Sequence, residues 1–182
     1  MTSPDSAGPA PTVSPDTASI LRVDQAGEYG ATRIYAGQLA VMGDRHPAAR
    51  VIRRMAQQEE RHRAIFDRML AHRRVRPTAL QPLWDVAGFA LGAATAMMGP
   101  RAAMACTAAV ETEIERHYQH QLAALGDADA DLASCIRDFQ AEEAEHRQTA
   151  MEHGAEDTPG YPILSSLIRL GCRAAIGLSK RI

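Results

Sequence analysis

The chain has 182 residues, of which 46% are hydrophobic, 23% charged and only 4% aromatic, with a formal net charge of -2. That length suits one domain with a sizeable core, and the near-balanced charge gives no global signal for nucleic acid as a partner. Cys106, Cys135 and Cys172 are scattered and contain no Cys-x-x-Cys pair, which argues against a disulfide scaffold, a zinc site or a rubredoxin-type iron centre and fits a reducing compartment.

Scarce aromatics, abundant alanine and the lack of any alternating β-branched run make the fold all-α. Residues 1–17, rich in Pro, Ser and Ala, read as a disordered tail ahead of a helical domain over 18–182. They hold no basic start followed by an apolar core, so no secretory signal is expected there. The first helix begins near Asp16 or Thr17, either of which can cap it, and runs to about Met42. Within it Glu28 lies between Gly27 and Gly30. Glycine costs about 1 kcal/mol against alanine inside a helix, so the pair implies close packing or a local distortion. Gly43 ends this helix and Pro47 opens a second, over 47–73, that carries Glu59 and His62. Glu60, Arg61, Arg63 and Arg53 read as its solvated face.

Pro77 and Pro82 break the chain before an apolar stretch from Trp84 to Gly99, uncharged for the 14 residues from Val86. A bilayer crossing needs roughly 20 apolar residues, so the stretch is too short to span. It reads either as a buried crossover helix or as a surface dipping into a bilayer interface with Trp84 at headgroup level. The third helix, 101–125, holds Glu111 and Tyr118, with Glu113 pointing elsewhere. The fourth, about 128–153, turns Leu132, Ile136, Phe139, Glu143 and His146 inward before Gly154 and Pro159-Gly160 stop it. From Pro162 an amphipathic C-terminal helix follows. Arg169, Arg173, Lys180 and Arg181 are available there to anionic headgroups, or else the helix packs on the crossover.

Two internal repeats organise these helices. Glu59-Glu60-Arg61-His62 and Glu143-Ala144-Glu145-His146 share a Glu-x-x-His form and lie 84 residues apart. Glu28 is followed by Tyr35, Gln38 and Leu39 at the spacings with which Tyr118, Gln121 and Leu122 follow Glu111, 83 residues on. A helical hairpin is thus copied, over about 18–73 and 101–153. Residues at i and i+3 share a helix face, so each Glu-x-x-His aims a carboxylate and an imidazole one way. Four glutamates and two histidines on four helices resemble the ligand set of ferritin-like di-iron carboxylate bundles. Burying those six side chains without cations is costly, because clustered carboxylates repel and lack solvent. Iron suits such oxygen-rich donors with one imidazole each, and so does manganese. The two motif glutamates can bridge the metals, with Glu28 and Glu111 completing one side each.

Leu21-Arg22-Val23-Asp24-Gln25-Ala26-Gly27-Glu28-Tyr29-Gly30-Ala31, Ile34-Tyr35-Ala36-Gly37-Gln38, Ala105 to Glu111, His117-Tyr118 and Gly171 to Ile176 together resemble the demethoxyubiquinone hydroxylase family of ubiquinone biosynthesis, over residues 18–182. The resemblance implies a ferritin-like four-helix bundle with an apolar crossover and a C-terminal amphipathic helix. It implies a monooxygenase that hydroxylates the ring of a polyprenylated demethoxyubiquinol with O2 and electrons from NAD(P)H, taken directly or through a reductase. Two iron ions per chain (or manganese) are implied on Glu28, Glu59, His62, Glu111, Glu143 and His146, with His117 and Tyr118 serving electron or proton delivery. It further implies a peripheral protein on the cytoplasmic face of the bacterial cell membrane, working with other ubiquinone-biosynthesis proteins. A long prenyl tail stays in the bilayer because each buried methylene contributes about 0.8 kcal/mol. Charged residues at Phe89, Leu91 and Met97 are then expected to abolish liposome binding. The rivals are a ferritin- or rubrerythrin-like iron or peroxide protein and a non-catalytic, quinone-binding membrane scaffold.

Overall fold

The computed structural model describes residues 14–43 and 46–181. They form six helices, and no strand occurs among the described residues: α1 (Pro15–Met42), α2 (Pro47–Arg73), α3 (Gln81–Met97), α4 (Pro100–Leu125), α5 (Ala130–Glu152) and α6 (Tyr161–Ser179). Of the expected tail, residues 1–13 lie outside the described residues. The cap of α1 is Ser14 rather than Asp16 or Thr17: its Oγ accepts the Thr17 N–H at 3.1 Å, and Pro15 fills the first turn, where no N–H is needed. Residues 15–17 are therefore helical. His46 caps α2, its Nδ1 accepting the Ala48 N–H at 3.2 Å. The start of α5 falls at Ala130 because the Asp129 carboxylate takes the Leu132 N–H and binds Arg73 of α2.

The architecture is a four-helix bundle of two hairpins, α1–α2 and α4–α5, each followed by one more helix laid against it. Here the repeat runs further than the hairpins: α3 lies along α1, as α6 lies along α4. Inside the bundle, apolar side chains form two clusters. One gathers Leu21, Phe66, Leu132, Ile136 and Phe139, the other Tyr35, Ile52, Met55, Met104 and Ala150. The buried glutamates and histidines are interspersed among these apolar residues on all four bundle helices.

The uncharged stretch is neither fully buried nor detached. Gly88 and Gly92 of α3 and Gly37 of α1 allow backbone-to-backbone approach: a Cβ at Gly37 or Gly92 would collide with the backbone of Phe89 or Ile34. This buries Gly88, Gly92, Thr95 and Ala96, while Val86 and Met97 on the same helix are 68% and 71% exposed. The Trp84 indole N–H donates to Ser179 Oγ of α6 at 3.0 Å, which ties α3 to α6. Arg169 and Arg173 are also engaged. Arg169 Nε donates to Glu113 Oε1 at 2.7 Å, and Arg173 reaches both Glu113 oxygens at 2.9 and 3.0 Å. Glu113 therefore clamps α6 onto α4, and two of the four cations expected to meet anionic headgroups serve an internal ion pair. No helix among the described residues is long and apolar enough to cross a membrane.

Candidate metal centre

Glu28 of α1, Glu59 and His62 of α2, Glu111 of α4, and Glu143 and His146 of α5 are all buried and converge inside the bundle. They sort into two groups: Glu28, Glu59, His62 and Glu143, and Glu59, Glu111, Glu143 and His146. Within each, one ligand atom per residue lies within 4.8 Å of the others. Glu59 and Glu143 belong to both groups, whereas Glu28, Glu111 and each histidine belong to one. His62 Nδ1 lies 3.1 Å from Glu143 Oε1 and 3.4 Å from Glu28 Oε2. His146 Nδ1 lies 3.0 Å from both Glu59 Oε1 and Glu143 Oε2.

Electrostatics make this arrangement unfavourable without cations. Burial, followed by the neighbouring Glu143, pushes Glu59 and Glu111 well above the ordinary carboxylate range. Burial would raise Glu143 too, but hydrogen bonds from His146 and His62 hold it down at about 2. Burial alone would lower His62, yet Glu143 and Glu28 bring it up to about 10. Glu28 Oε2, both Glu59 oxygens, Glu111 Oε2, Glu143 Oε1 and His62 Nδ1 are buried without a well-aligned hydrogen bond, close as several of them lie to one another. Orphaned acceptors crowded at one point are a donor set that fits divalent cations, which restore the missing charge and replace the missing bonds.

Two tyrosines cross the bundle to hold the unshared glutamates. Tyr118 donates its phenol hydrogen to Glu28 Oε1, and Tyr35 donates to Glu111 Oε1 at 2.9 Å. Each repeat thus supplies the hydroxyl that orients the other repeat's carboxylate. His117 lies one layer out: Gln121 Nε2 donates to Asp24 Oδ1 at 2.6 Å and sits 2.8 Å from His117 Nε2. Burial, with Lys180 adding to it, lowers His117 to about 4, so its ring is neutral and accepts from the amide. The sequence pairing of His117 with Tyr118 therefore separates in space into one residue on the cluster and one behind it.

Sequence reasoning overlooked Gln58 and Glu142. His146 Nε2 lies 3.0 Å from Gln58 Oε1, and His62 Nε2 lies 3.1 Å from Glu142 Oε2, where Arg61 also binds. Arg61 is thus more than part of a solvated face. Their signal was present, because each immediately precedes a Glu-x-x-His motif.

A cavity of about 530 Å³ opens among α1, α3, α4 and α6, with Gly27, Gly30, Leu91, Val110 and Ile168 in its wall. Gly27 and Val110 directly precede Glu28 and Glu111, so the cavity runs beside the cluster. A Cβ at Gly27 or Gly30 would meet nothing within 4 Å, and α1 is regular through both. Neither tight packing nor distortion explains these glycines; they leave the cavity wall open. Leu91 faces this cavity, which makes it unsuitable as a test of an outer apolar surface.

A model of ubiquinone biosynthesis protein COQ7 matches residues 15–179. The chain is 53% identical over 162 residues to a 3-demethoxyubiquinol 3-hydroxylase of Rhodospirillum rubrum, covering 89% of this chain and 76% of that protein. It is 50% identical over 167 residues to the mitochondrial NADPH-dependent 3-demethoxyubiquinone 3-hydroxylase of Homo sapiens, covering 90% and 76%. To the 5-demethoxyubiquinone hydroxylase of Saccharomyces cerevisiae it is 40% identical over 179 residues, covering 90% and 77%. With its paired hairpins and its match from the first helix to the last, the chain belongs to the COQ7 family of ubiquinone biosynthesis proteins.

Proposed function

We propose that this chain is an oxygen-dependent monooxygenase that hydroxylates the ring of a polyprenylated demethoxyubiquinol. The observation that carries the reading is the juxtaposition of six buried, convergent metal-type donors with an apolar cavity along Gly27 and Val110. Glu28, Glu59, His62, Glu111, Glu143 and His146 hold two iron ions, with manganese as the alternative cation for the same donors. When bound, the metal pair supplies oxygen activation and accepts electrons that originate in NAD(P)H. The rest falls to the protein. Glu59 and Glu143 span the two positions, Tyr118 and Tyr35 fix Glu28 and Glu111, and the cavity walls exclude water from the prenylated ring. Val86 and Met97 of α3 and Leu167 and Leu170 of α6, all exposed, rest on a bilayer surface from which the substrate enters. Membership of the COQ7 family sets aside the ferritin- and rubrerythrin-like rival.

Metal analysis of the purified protein combined with quinone profiling of a deletion strain tests this reading. The deletion accumulates the demethoxy precursor, and wild type but not Glu143→Ala restores ubiquinone. Normal quinone content in the deletion would overturn it.

A further inference from the structure

The two halves of the bundle make one reciprocal contact with unlike chemistry. Gln58 and Glu142 precede Glu59 and Glu143 and stand 84 residues apart, the offset of the Glu-x-x-His motifs themselves. Each reaches the imidazole of the opposite half: Glu142 Oε2 lies 3.1 Å from His62 Nε2 and Gln58 Oε1 lies 3.0 Å from His146 Nε2. Both histidines turn Nδ1 towards the shared carboxylates, so Nε2 is the outward nitrogen. An imidazole that ligates through one nitrogen keeps its proton on the other and donates it. His62 therefore donates to a carboxylate, and His146 donates to a neutral amide. Gln58 Nε2 in turn reaches Glu142 Oε2 at 3.4 Å, which fixes the amide with its oxygen towards His146. The outward nitrogens are thus joined in a line, His146 to Gln58 to Glu142 to His62, with a negative charge at one end only. Arg61 on Glu142 tempers that charge, but Arg61 is half exposed and the His146 end has no carboxylate in the same place.

We propose that Gln58 and Glu142 are positioning residues that make the two metal positions inequivalent, so that a divalent cation loads first at Glu28 and His62 and second at Glu111 and His146. An imidazole hydrogen-bonded to a carboxylate is the more basic ligand and has its ring orientation held more firmly. All ligand types are otherwise matched between the two groups, one unshared glutamate and one histidine each. The six ligands match in residue type between the two groups, and this pair does not. The inference rests on the metal reading above.

Anaerobic titration of metal-free protein with 57Fe(II), read by Mössbauer spectroscopy, tests it without turnover. In wild type one quadrupole doublet fills before the other. Glu142→Gln perturbs the doublet that fills first and weakens that position by about 10- to 100-fold, the usual effect of removing an outer hydrogen-bond partner. The exchange variant Gln58→Glu/Glu142→Gln keeps one amide and one carboxylate in contact and reverses the order in which the doublets fill. General damage to the fold weakens both positions and cannot imitate a reversed order. Two positions that fill together in wild type, or a Glu142→Gln change confined to the late doublet, would overturn the inference while leaving the metal centre intact. A chain that binds no Fe(II) would overturn both.

Discussion

At the scale of single residues, the cluster is a balance between burial and opposite charge. Removing the Tyr118 hydroxyl leaves Glu28 Oε1 without the donor the structure gives it. Tyr118→Phe should cost the metal-free protein about 1–3 kcal/mol, measured by chemical denaturation. It should also lower turnover with metal content retained, whereas His117→Gln, one layer out, should leave metal-free stability nearly unchanged. The pH dependence has a definite sign. His62 is raised to about 10 by its carboxylate neighbours, so its contribution is present below pH 6.5 and is lost as pH rises towards 10. Glu59 and Glu111, raised by burial, act in the same direction, because they favour the protonated folded state. Thermal melts of chelator-treated protein should therefore show a lower Tm at pH 9 than at pH 6.5. Added Fe(II) or Mn(II) should raise Tm more at pH 9, since ligands shed protons on binding. The glycines of the cavity give a third residue-level test. Gly27→Leu places a side chain where a Cβ now meets nothing, and should raise KM for a long-tailed quinol more than for a short-tailed one, with iron content constant.

Among the helices, α6 is held at its C-terminal end and its middle. Trp84 binds Ser179 near its C-terminus, and Glu113 takes Arg169 and Arg173. Glu113 is buried whereas its arginines are partly exposed, so the clamp lies between a buried and a surface ion pair in strength. Burial would raise Glu113, but hydrogen bonds from Arg173 and Arg169 hold it below the usual range. Its contribution is accordingly present above pH 4.5 and is lost on acidification below that. Glu113→Gln should cost roughly 1–3 kcal/mol and accelerate hydrogen exchange across residues 161–179 while sparing α2 and α5. Equal acceleration in α2 would mean that the clamp stabilises the bundle as a whole and does not serve α6 in particular.

Across the whole molecule, α3 and α6 enclose the cavity while presenting large apolar side chains outward. Leu91 lines the cavity, so the informative surface substitutions are Val86→Asp, Met97→Asp and Leu170→Asp. Flotation with liposomes should be lost in the triple variant, with iron binding unchanged because none of the three touches the carboxylate cluster. Retained flotation would remove the membrane-facing role of these two helices.

Helix periodicity and a doubled motif were enough to specify four bundle helices and six side chains that converge. Spacing along one helix determines which side chains share a face, and a repeated pattern implies a repeated partner. Spacing cannot say which faces meet, because helices remote in sequence settle their register by packing. Gly37 had to be seen against Gly92, and Glu113 against Arg169 and Arg173, before α3 and α6 had a place. The internal partners of Trp84 and both arginines were invisible in the sequence because they lie 56 to 95 residues away. Gln58 and Glu142 drew no notice in the sequence for the same reason: each lies against the histidine of the other half, and only the folded bundle brings those halves together.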